Sequence, residues 1–160
     1  ETDVIQQGNS VKVVRHMLNS VPPPTYSAAY PFGETIDRWQ EIVFHPSHLE
    51  IWTGAVEHNT EAVDDPARGG FHMRGFHALT PETEESCFYI WTMASNPTSN
   101  CDEVMQKVIE QTKFTFDEDK SIIETQYKNM KRFGVKKHID IHVDVAPNRA
   151  RRIIAALKQA

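Results

Sequence analysis

The fold is decided by residues 101–133, which read CDEVMQKVIEQTKFTFDEDKSIIETQYKNMKRF. The stretch contains no proline or glycine, so nothing in it interrupts a helix. Asp102 and Glu103 lie near its start, and basic residues lie near its end, which is the arrangement that the helix dipole favours. Gly134 follows as a plausible C′ residue. The pattern predicts one long helix, or two helices joined by a kink near residues 112–115.

A series of strand-like segments precedes this helix. Each segment is rich in β-branched and aromatic residues and ends at a proline, a glycine or a polar turn. The predicted strands lie at 11–18, in two segments within 37–56 that break at Pro46-Ser47, at about 70–79 and at 86–94. Residues 25–36 and 57–70 are predicted loops. Successive strands joined by short connections favour an antiparallel sheet.

Two shorter elements are predicted after the helix. Residues 138–145 alternate strictly between polar residues and Ile or Val, which predicts a last strand with a buried Ile/Val face. Pro147 suits the first turn of a short basic helix over residues 147–158. The predicted fold class is α+β, with an antiparallel sheet that grips a long C-terminal helix in a single domain over residues 1–160.

Composition excludes several classes of protein. The 160 residues are 39% hydrophobic, which is enough for a core and argues against disorder. No apolar run approaches the ~18–20 residues of a membrane span, so we expect no membrane protein. Cys87 and Cys101 are too few for a disulfide scaffold or a four-thiolate metal site. A net charge of −5 argues against nucleic-acid binding. No basic or apolar leader follows Glu1, so no signal peptide is predicted.

Charge is divided unevenly along the chain. Residues 1–119 carry 7 Lys/Arg and 19 Asp/Glu, a balance of −12, whereas residues 120–160 carry 10 and 3, a balance of +7. The simpler interpretation is that the basic tail packs near the acidic body. The alternative is a docking face for an acidic partner or a neighbouring subunit.

The long helix carries one acidic residue inside its apolar stripe. Phe116, Ile123, Tyr127 and Met130 recur at helical spacings, and Asp119 lies three residues after the first of them and four before the second. A carboxylate aimed at a core must be paired, protonated or bound to a metal, because an isolated buried charge is very costly. Asp119 is therefore a candidate metal ligand. The alternative is a helix-edge aspartate that pairs with an arginine or reaches solvent.

Three groups of histidines are further candidates for metal binding. They are His138 and His142 with Asp140 and Asp144, His45 with His48, and His72 with His77. The first group shares one face of the predicted last strand and is interpreted as a polar, solvated face. The second flanks a proline and is interpreted as surface. The third pair is five residues apart, so the two imidazoles fall on opposite faces of a continuous strand and do not chelate.

Other chemistry has weaker support. Cys87 follows Ser86 in a predicted strand that has neither a Gly-rich elbow nor a local activating group. The sequence contains no phosphate loop and no dinucleotide fingerprint. The three tryptophans and most of the eight phenylalanines interleave with the predicted strands, which is typical of a core. The alternative is that they line a pocket for a flat aromatic ligand.

The predicted hairpin over residues 75–91 resembles a known family. It reads GFHALTPETEESCFYIW and is similar to the "HxLTPETE(T/S)S-x-(H/F)YFW" hairpin of Rieske non-heme iron oxygenases of the vanillate O-demethylase, phthalate dioxygenase and dicamba monooxygenase group. Three further segments resemble the same group. Val11–Pro24 is similar to its strand that ends in a proline cluster, and residues 116–126 are similar to its "ED(K/R)…(I/V)(I/V)E-x-Q" helix. Residues 144–157 are similar to its C-terminal "D…RARR" segment. The resemblance spans nearly the whole chain.

The resemblance implies a START-like helix-grip catalytic domain that is incomplete relative to the family. In this family two histidines and one aspartate hold a mononuclear Fe(II) and leave positions open for O₂. The aspartate maps onto Asp119, a histidine that faces the substrate pocket beyond the iron maps onto His77, and a pocket-lining position maps onto Trp52. The family also implies an aromatic small-molecule substrate, electrons from a reductase or ferredoxin, a cytoplasmic location and a homotrimer.

Two parts of the family pattern have no counterpart in these residues. One is the N-terminal Rieske domain, whose two Cys and two His bind a [2Fe–2S] cluster. The other is the Asp-x2-His-x4-His segment that carries the two iron histidines upstream of the strand at 11–18. His72 and His77 have the x4 spacing but lie in a different element. We therefore expect that the isolated chain does not assemble the iron site, and we assign no catalytic residue.

Three explanations are consistent with this pattern. The chain is the C-terminal portion of an oxygenase catalytic domain, or a truncated relative that binds small molecules, or a chain that receives its histidines and electrons from a partner. The first is favoured, because Asp119 and the hairpin motif are intact. The expected function is part of an aromatic-ring hydroxylating or O-demethylating Rieske-type oxygenase. The alternative is a stand-alone START-like binding module without redox activity.

Overall fold

The computed structural model describes residues 2–97, 101–135 and 139–159. Its centre is a six-stranded sheet in which each strand pairs antiparallel with its sequence neighbours, in the order β1-β2-β3-β4-β5-β6. The strands are β1 (Thr2–Gln7), β2 (Ser10–Ser20), β3 (Ile36–His45), β4 (His48–Glu57), β5 (Phe71–Pro81) and β6 (Cys87–Ser95). The predicted antiparallel sheet is confirmed. β1 was not predicted, because its sequence TDVIQQ is mostly polar and lies exposed at the sheet edge.

In the part of the chain that the structure describes, three helices accompany the sheet: α1 (Pro24–Ala29), α2 (Cys101–Phe133) and α3 (Val145–Leu157). α2 is one continuous helix, so the alternative of two helices with a kink is wrong. It ends as predicted at Gly134, whose φ is +64°. The N–H of Val135 donates to the carbonyl of Met130 at 2.9 Å and closes the last turn. None of the described helices is both long enough and apolar enough to cross a membrane.

Two predictions about local structure are wrong. The predicted loop at 25–36 contains α1, because a proline suits a first helical turn and because Tyr26 then packs into the core. Residues 139–144 form no strand. The N–H of Asp144 donates to the carbonyl of Ile141 at 3.0 Å, which makes a turn. Ile139 is 90% exposed, so the Ile/Val face is not buried. Position 138 lies outside the described residues.

The two faces of the sheet are packed differently. One face, which we call the helix face, packs against α1 and α2, and its buried residues include Ile36, Ala55, Phe71 and Met73. The other, which we call the tryptophan face, carries Trp39, Trp52 and Val56, which pack with Val63 of the loop after β4. Because side chains alternate along a strand, the strand register assigns every residue of the sheet to one of these faces.

α2 lies along the helix face through three attachments. Val108 is fully buried in the core near the start of the helix. Phe116 packs edge-on against Trp91 of β6, with ring centroids 5.2 Å apart. Lys131, near the end of the helix, forms an ion pair with Glu85 in the β5–β6 loop. These contacts hold the middle of α2 above β5 and β6.

The apolar stripe of α2 is not buried along its whole length. Phe116 is partly buried, but Ile123 is 63% exposed and Tyr127 is 41% exposed. Asp119 is exposed as well. The expectation that this carboxylate points into a core is therefore wrong: the core contacts of α2 come from Val104 and Val108, near the start of the helix, and not from this stripe.

The basic C-terminal tail packs partly as the simpler interpretation predicts. α3 contacts β1 and β2 at the edge of the sheet. The Arg149 guanidinium donates to the carbonyl of Val4 at 3.0 Å, which ties the tail to the acidic part of the chain. Arg151 lies 3.8 Å from Asp140, an acidic residue within the tail itself.

Candidate functional site

The candidate site is a polar pair surrounded by aromatic rings on the helix face. His77 lies on β5 and is 5% exposed. Its Nδ1 is 2.5 Å from the hydroxyl of Tyr89 on β6, and the two rings are stacked with centroids 5.8 Å apart. Phe116 of α2 covers both, with ring centroids 5.9 Å from His77 and 5.8 Å from Tyr89. Trp91 completes the aromatic wall beside Phe116.

The β5–β6 register explains why these residues meet. His77 is directly opposite Trp91, and Leu79 is opposite Tyr89. Tyr89 is therefore the diagonal neighbour of His77 on the same face, within reach of a long aromatic side chain. The role of Tyr89 was not predicted from the sequence. The predicted hairpin could have identified Tyr89, because the length of the turn fixes which residues of the two strands are diagonal neighbours.

Gly75 provides the space that the His77 ring occupies. It precedes His77 by two residues on the same face of β5, and a Cβ at this position would lie 3.0 Å from His77 Nε2. That separation is tighter than normal side-chain packing. The absence of a side chain at Gly75 thus lets the imidazole lie along the strand.

The protonation states of the pair follow from burial and from a nearby charge. Burial lowers the pKa of His77, so the imidazole is neutral at pH 7. Burial, and then the negative charge of Asp119, raises the pKa of Tyr89, so the phenol keeps its proton. The consistent arrangement has the Tyr89 O–H donating to His77 Nδ1. His77 Nε2 then carries the remaining proton and is a hydrogen-bond donor.

Asp119 lies beside this pair, one helical turn after Phe116. Phe116 contacts the rings of both His77 and Tyr89, and the negative charge of Asp119 contributes to the raised pKa of the Tyr89 phenol. Among the residues that the structure describes, no side chain forms a hydrogen bond or an ion pair with the Asp119 carboxylate. The carboxylate is therefore available to a cation. Two of the three predicted site residues, Asp119 and His77, thus both interact with Tyr89, and their roles stay predictions.

Trp52, the third predicted site residue, lies on the tryptophan face. Its neighbours on β4, Ile51 and Thr53, face the same side as His77. A shift of one residue along a strand moves a side chain to the other face, so a family position carried over with an error of one residue changes sides. The assignment of Trp52 to the substrate pocket stays a prediction, and its placement does not support that assignment.

Trp52 instead forms part of a cation–π stack. The guanidinium of Arg68 lies 3.8 Å from the Trp52 ring centroid and 4.3 Å from that of Trp39, and Arg74 lies 3.8 Å from the Trp52 centroid. Arg68 also donates to Glu41 at 2.6 Å. The stack is packed like a structural core, although Arg68 Nε and the Nε1 atoms of Trp39 and Trp52 are buried without a hydrogen-bond partner.

The strand-face prediction for His72 and His77 is confirmed. His72 packs against Trp39 and Trp52, with ring centroids 6.5 and 6.0 Å away, on the tryptophan face. Burial, and then the charges of Arg74 and Arg68, lowers the pKa of His72. The two histidines lie on opposite sides of the sheet and do not form a chelating pair.

The residues around Asp119 fit one ligand of a mononuclear iron and not a complete site. An unpaired carboxylate on a helix is a suitable oxygen ligand for Fe(II). His77 Nδ1 is engaged by Tyr89, and the structure places no second imidazole in this cluster among the described residues. A facial triad needs two imidazoles, so these residues alone do not hold the ion.

Comparisons with known proteins agree with this arrangement. A sequence model of the vanillate O-demethylase oxygenase C-terminal domain matches residues 1–160. The chain is 28% identical to a vanillate O-demethylase oxygenase subunit of Pseudomonas sp. (strain HR199 / DSM 7063), over 92% of this chain and 44% of the relative. It is 25% identical to a putative toluene-4-sulfonate monooxygenase system iron-sulfur subunit of Comamonas testosteroni, over 92% of this chain and 43% of the relative.

The fold is similar to that of a solved oxygenase. The crystal structure of dicamba monooxygenase bound to dicamba superposes with a TM-score of 0.76 at 25% sequence identity, covering 99% of this chain and 46% of that one. The chain spans less than half the length of these relatives. The family match extends over the whole chain, and the predicted α+β architecture is the one that the solved relative has. The chain therefore belongs to the family of vanillate O-demethylase oxygenase C-terminal domains, which is the C-terminal part of a Rieske oxygenase catalytic domain.

Proposed function

We propose that the chain supplies one carboxylate, Asp119, to a mononuclear Fe(II) and forms the His77 side of the pocket for an aromatic substrate in a Rieske-type oxygenase. The observation that carries the proposal is the unpaired Asp119 carboxylate, one helical turn after the Phe116 ring that contacts the hydrogen-bonded pair of His77 and Tyr89. A cation ligand and a polar, aromatic-walled recognition group share one face of the sheet. The family match supports the same assignment.

The remaining parts of the enzyme lie outside these residues in this proposal. The two imidazole ligands come from another segment of a longer polypeptide or from a partner chain. A [2Fe–2S] cluster sits on a separate Rieske domain and receives electrons from a reductase or ferredoxin. The iron, when bound, supplies the oxidation chemistry with O₂. The residues described above bind and orient the substrate.

His77 is the recognition group in this scheme. Because Tyr89 donates its hydroxyl proton to Nδ1, His77 presents an N–H at Nε2 in a fixed orientation. A neutral donor held between aromatic rings suits an oxygen substituent on a planar ring, and Phe116 and Trp91 provide apolar contact area for that ring. Burial, and then the charge of Asp119, raises the pKa of the Tyr89 phenol, so Tyr89 remains a proton donor to His77.

The proposed substrate class is a single-ring aromatic compound with an anionic substituent. The names of two relatives refer to vanillate and to toluene-4-sulfonate, which are aromatic anions. An N–H donor such as His77 Nε2 hydrogen-bonds a carboxylate or sulfonate oxygen better than a neutral oxygen. O-demethylation or hydroxylation of the ring is the proposed reaction.

Exposed apolar side chains support the view that further protein covers this region. Leu79 of β5, on the same face as His77, is 43% exposed, and Ile123 and Tyr127 of α2 are 63% and 41% exposed. Apolar surface of this extent marks an interaction surface. We propose that the remainder of the oxygenase, and neighbouring subunits of a homotrimer, pack against it.

The test uses a complete oxygenase that carries this sequence, reconstituted with its reductase. His77→Phe keeps the aromatic packing and removes both ring nitrogens. We expect substrate affinity to fall by about tenfold, the value of one charge-assisted hydrogen bond, with iron content unchanged. His142→Phe, at an exposed position in the turn after α2, is the matched control. Loss of iron in His77→Phe would make His77 a ligand, and unchanged affinity would remove it from the pocket.

The alternative function is a small-molecule binding module without redox activity, and the same aromatic walls would serve it. The two functions differ in their use of O₂. An oxygenase consumes O₂ and substrate together when electrons are supplied, whereas a binding module binds the aromatic anion with no O₂ uptake and no iron. Binding of the aromatic anion without O₂ uptake and without bound iron would favour the binding module.

A further inference from the structure

We propose that His45, His48 and Glu50 form a binding site for a divalent transition-metal ion, represented by zinc, at the tip of the β3–β4 hairpin. One ring nitrogen from each histidine and one carboxylate oxygen of Glu50 lie within 4.8 Å of one another. Within residues 2–97, 101–135 and 139–159, this is the one group of three or more His, Cys, Asp or Glu side chains that meets this criterion.

The hairpin itself brings the three side chains together. β3 ends at His45 and β4 begins at His48, and these two residues are paired across the two-residue loop formed by Pro46 and Ser47. Their rings are stacked, with centroids 4.6 Å apart and an interplanar angle of 19°. Glu50 follows two residues later on the same face of β4. The spacing His-x2-His-x-Glu therefore places three ligands on one side of a short hairpin.

The side chains are near the separation that a shared metal ion requires. His48 Nε2 lies 3.6 Å from the Glu50 carboxylate oxygen, which is too long for a good hydrogen bond. Two ligand atoms each about 2.1 Å from one tetrahedral zinc are about 3.4 Å apart. The three ligand atoms lie within 4.8 Å of one another, so a shift of about 1 Å brings the most distant pair to the separation that a shared zinc requires. The Glu50 side chain is exposed and can rotate to make this shift.

Two serine hydroxyls orient the imidazoles. Ser10 Oγ, at the start of β2, is 3.1 Å from His45 Nδ1, and Ser47 Oγ is 3.1 Å from His48 Nδ1. When each hydroxyl accepts the Nδ1–H, the Nε2 lone pair of each ring is left free. Metal-binding histidines are held in this way, with the second nitrogen bonded to a neighbouring polar group.

The donor set selects the class of ion. Two neutral imidazoles and one carboxylate suit Zn²⁺ and its neighbours in the first transition series, and hard ions such as Mg²⁺ prefer all-oxygen ligands. Phe76 packs against His48 with ring centroids 5.0 Å apart and shields one side of the site. Three protein ligands leave at least one coordination position open.

This site is distinct from the proposed iron site. His45, His48 and Glu50 lie on the tryptophan face of the sheet, whereas His77 lies on the helix face, which is the side that α2, the helix of Asp119, covers. No residue is shared between the two, so each proposal stands or fails by itself. The inference rests on the hairpin geometry and not on the family match.

The test is calorimetric titration of the chain with Zn²⁺, supported by the visible absorption of bound Co²⁺. We expect one ion per chain. His45→Gln and His48→Gln should each weaken binding by at least about tenfold, and Ser10→Ala by about tenfold, the usual effect of losing a second-sphere partner. His142→Gln and Glu84→Gln, which remove an exposed imidazole and an exposed carboxylate elsewhere, should bind as the parent chain does.

Circular dichroism of each variant separates loss of ligands from loss of fold. Asp119→Asn should bind Zn²⁺ unchanged, because that carboxylate lies on the other face. No saturation at about 0.1 mM Zn²⁺ would overturn the proposal. Equal affinity in a folded His45→Gln/His48→Gln double variant would overturn it as well, since the ion would then be bound elsewhere.

Discussion

The hydrogen bond between Tyr89 and His77 can be removed with almost no change in shape. Tyr89→Phe deletes one hydroxyl and leaves the ring that stacks on His77 and Phe116. His77 is 5% exposed, so water does not readily replace the lost partner of Nδ1, whereas Tyr89 is 45% exposed. The cost is therefore mainly that of one unsatisfied buried nitrogen. We expect about 1–2 kcal/mol of lost stability, equivalent to about 2–8 °C in Tm for a domain of this size.

The assay is urea denaturation of four proteins that form a double-mutant cycle: the parent chain, Tyr89→Phe, His77→Phe and the double variant. In the His77→Phe background no nitrogen remains to be satisfied, so Tyr89→Phe should cost less than about 0.5 kcal/mol. Tyr30→Phe, an exposed tyrosine whose hydroxyl bonds to none of the described residues, should change stability by less than about 0.5 kcal/mol. Equal costs of Tyr89→Phe in both backgrounds would refute the assignment of the hydrogen bond.

Three further predictions concern charge. Asp119→Asn should lower the pKa of the Tyr89 phenol, because a negative charge that raises this pKa is removed. Ultraviolet titration measures the phenol pKa, with Tyr89→Phe identifying the signal of Tyr89. An unchanged pKa would contradict the placement of Asp119. Burial lowers the pKa of His77 in the folded state, so the unfolded chain binds a proton first as the pH falls below about 6.5, and stability is lost from there downward. His77→Phe should reduce this loss of stability at low pH. Part of the loss should remain, because the pKa of His72 is shifted in the same direction. Arg68→Met should cost about 2–3 kcal/mol in urea denaturation, because it breaks a buried ion pair and a cation–π stack, and a cost under about 0.5 kcal/mol would show that the stack is not structural.

Much of the fold was predictable because apolar residues recur with different spacings in strands and in helices. The uninterrupted stretch from residue 101 to residue 133 defines α2, and the turn residues between apolar segments define the hairpins. The two-residue period also assigned His72 and His77 to opposite faces. These features depend only on local spacing, which the sequence contains in full.

The errors share a different cause. Alternation in residues 138–145 shows that a strand could form, but a strand needs a neighbour, and among the described residues none pairs with 139–144. The stripe around Asp119 shows that one side of α2 is apolar, but burial depends on what packs there, and only the first part of the helix meets the core. Trp52 lies on the face opposite His77, and its assignment to the substrate pocket stays a prediction.

The site was predicted in part for the same reasons. Asp119 was predicted from its helical spacing together with the family resemblance and His77 from the resemblance alone, and both roles stay predictions. Tyr89 and the cluster of His45, His48 and Glu50 depend on strand register, which sequence spacing alone does not fix. Once the hairpins are known to be tight, both become visible: a diagonal neighbour in one case, and a His-x2-His-x-Glu hairpin tip in the other.

The central claim is that Asp119 is a ligand of the mononuclear iron, and its most direct test is the iron content of a complete oxygenase carrying this sequence. Wild type and Asp119→Asn would be loaded with Fe(II) without oxygen and analysed for metal, with circular dichroism to confirm the fold and the Rieske absorption to count the cluster separately. Glu118→Gln, an exposed carboxylate one residue away on α2, is the matched control. We predict loss of one iron per chain in Asp119→Asn alone. Full iron occupancy in a folded Asp119→Asn enzyme would contradict the account.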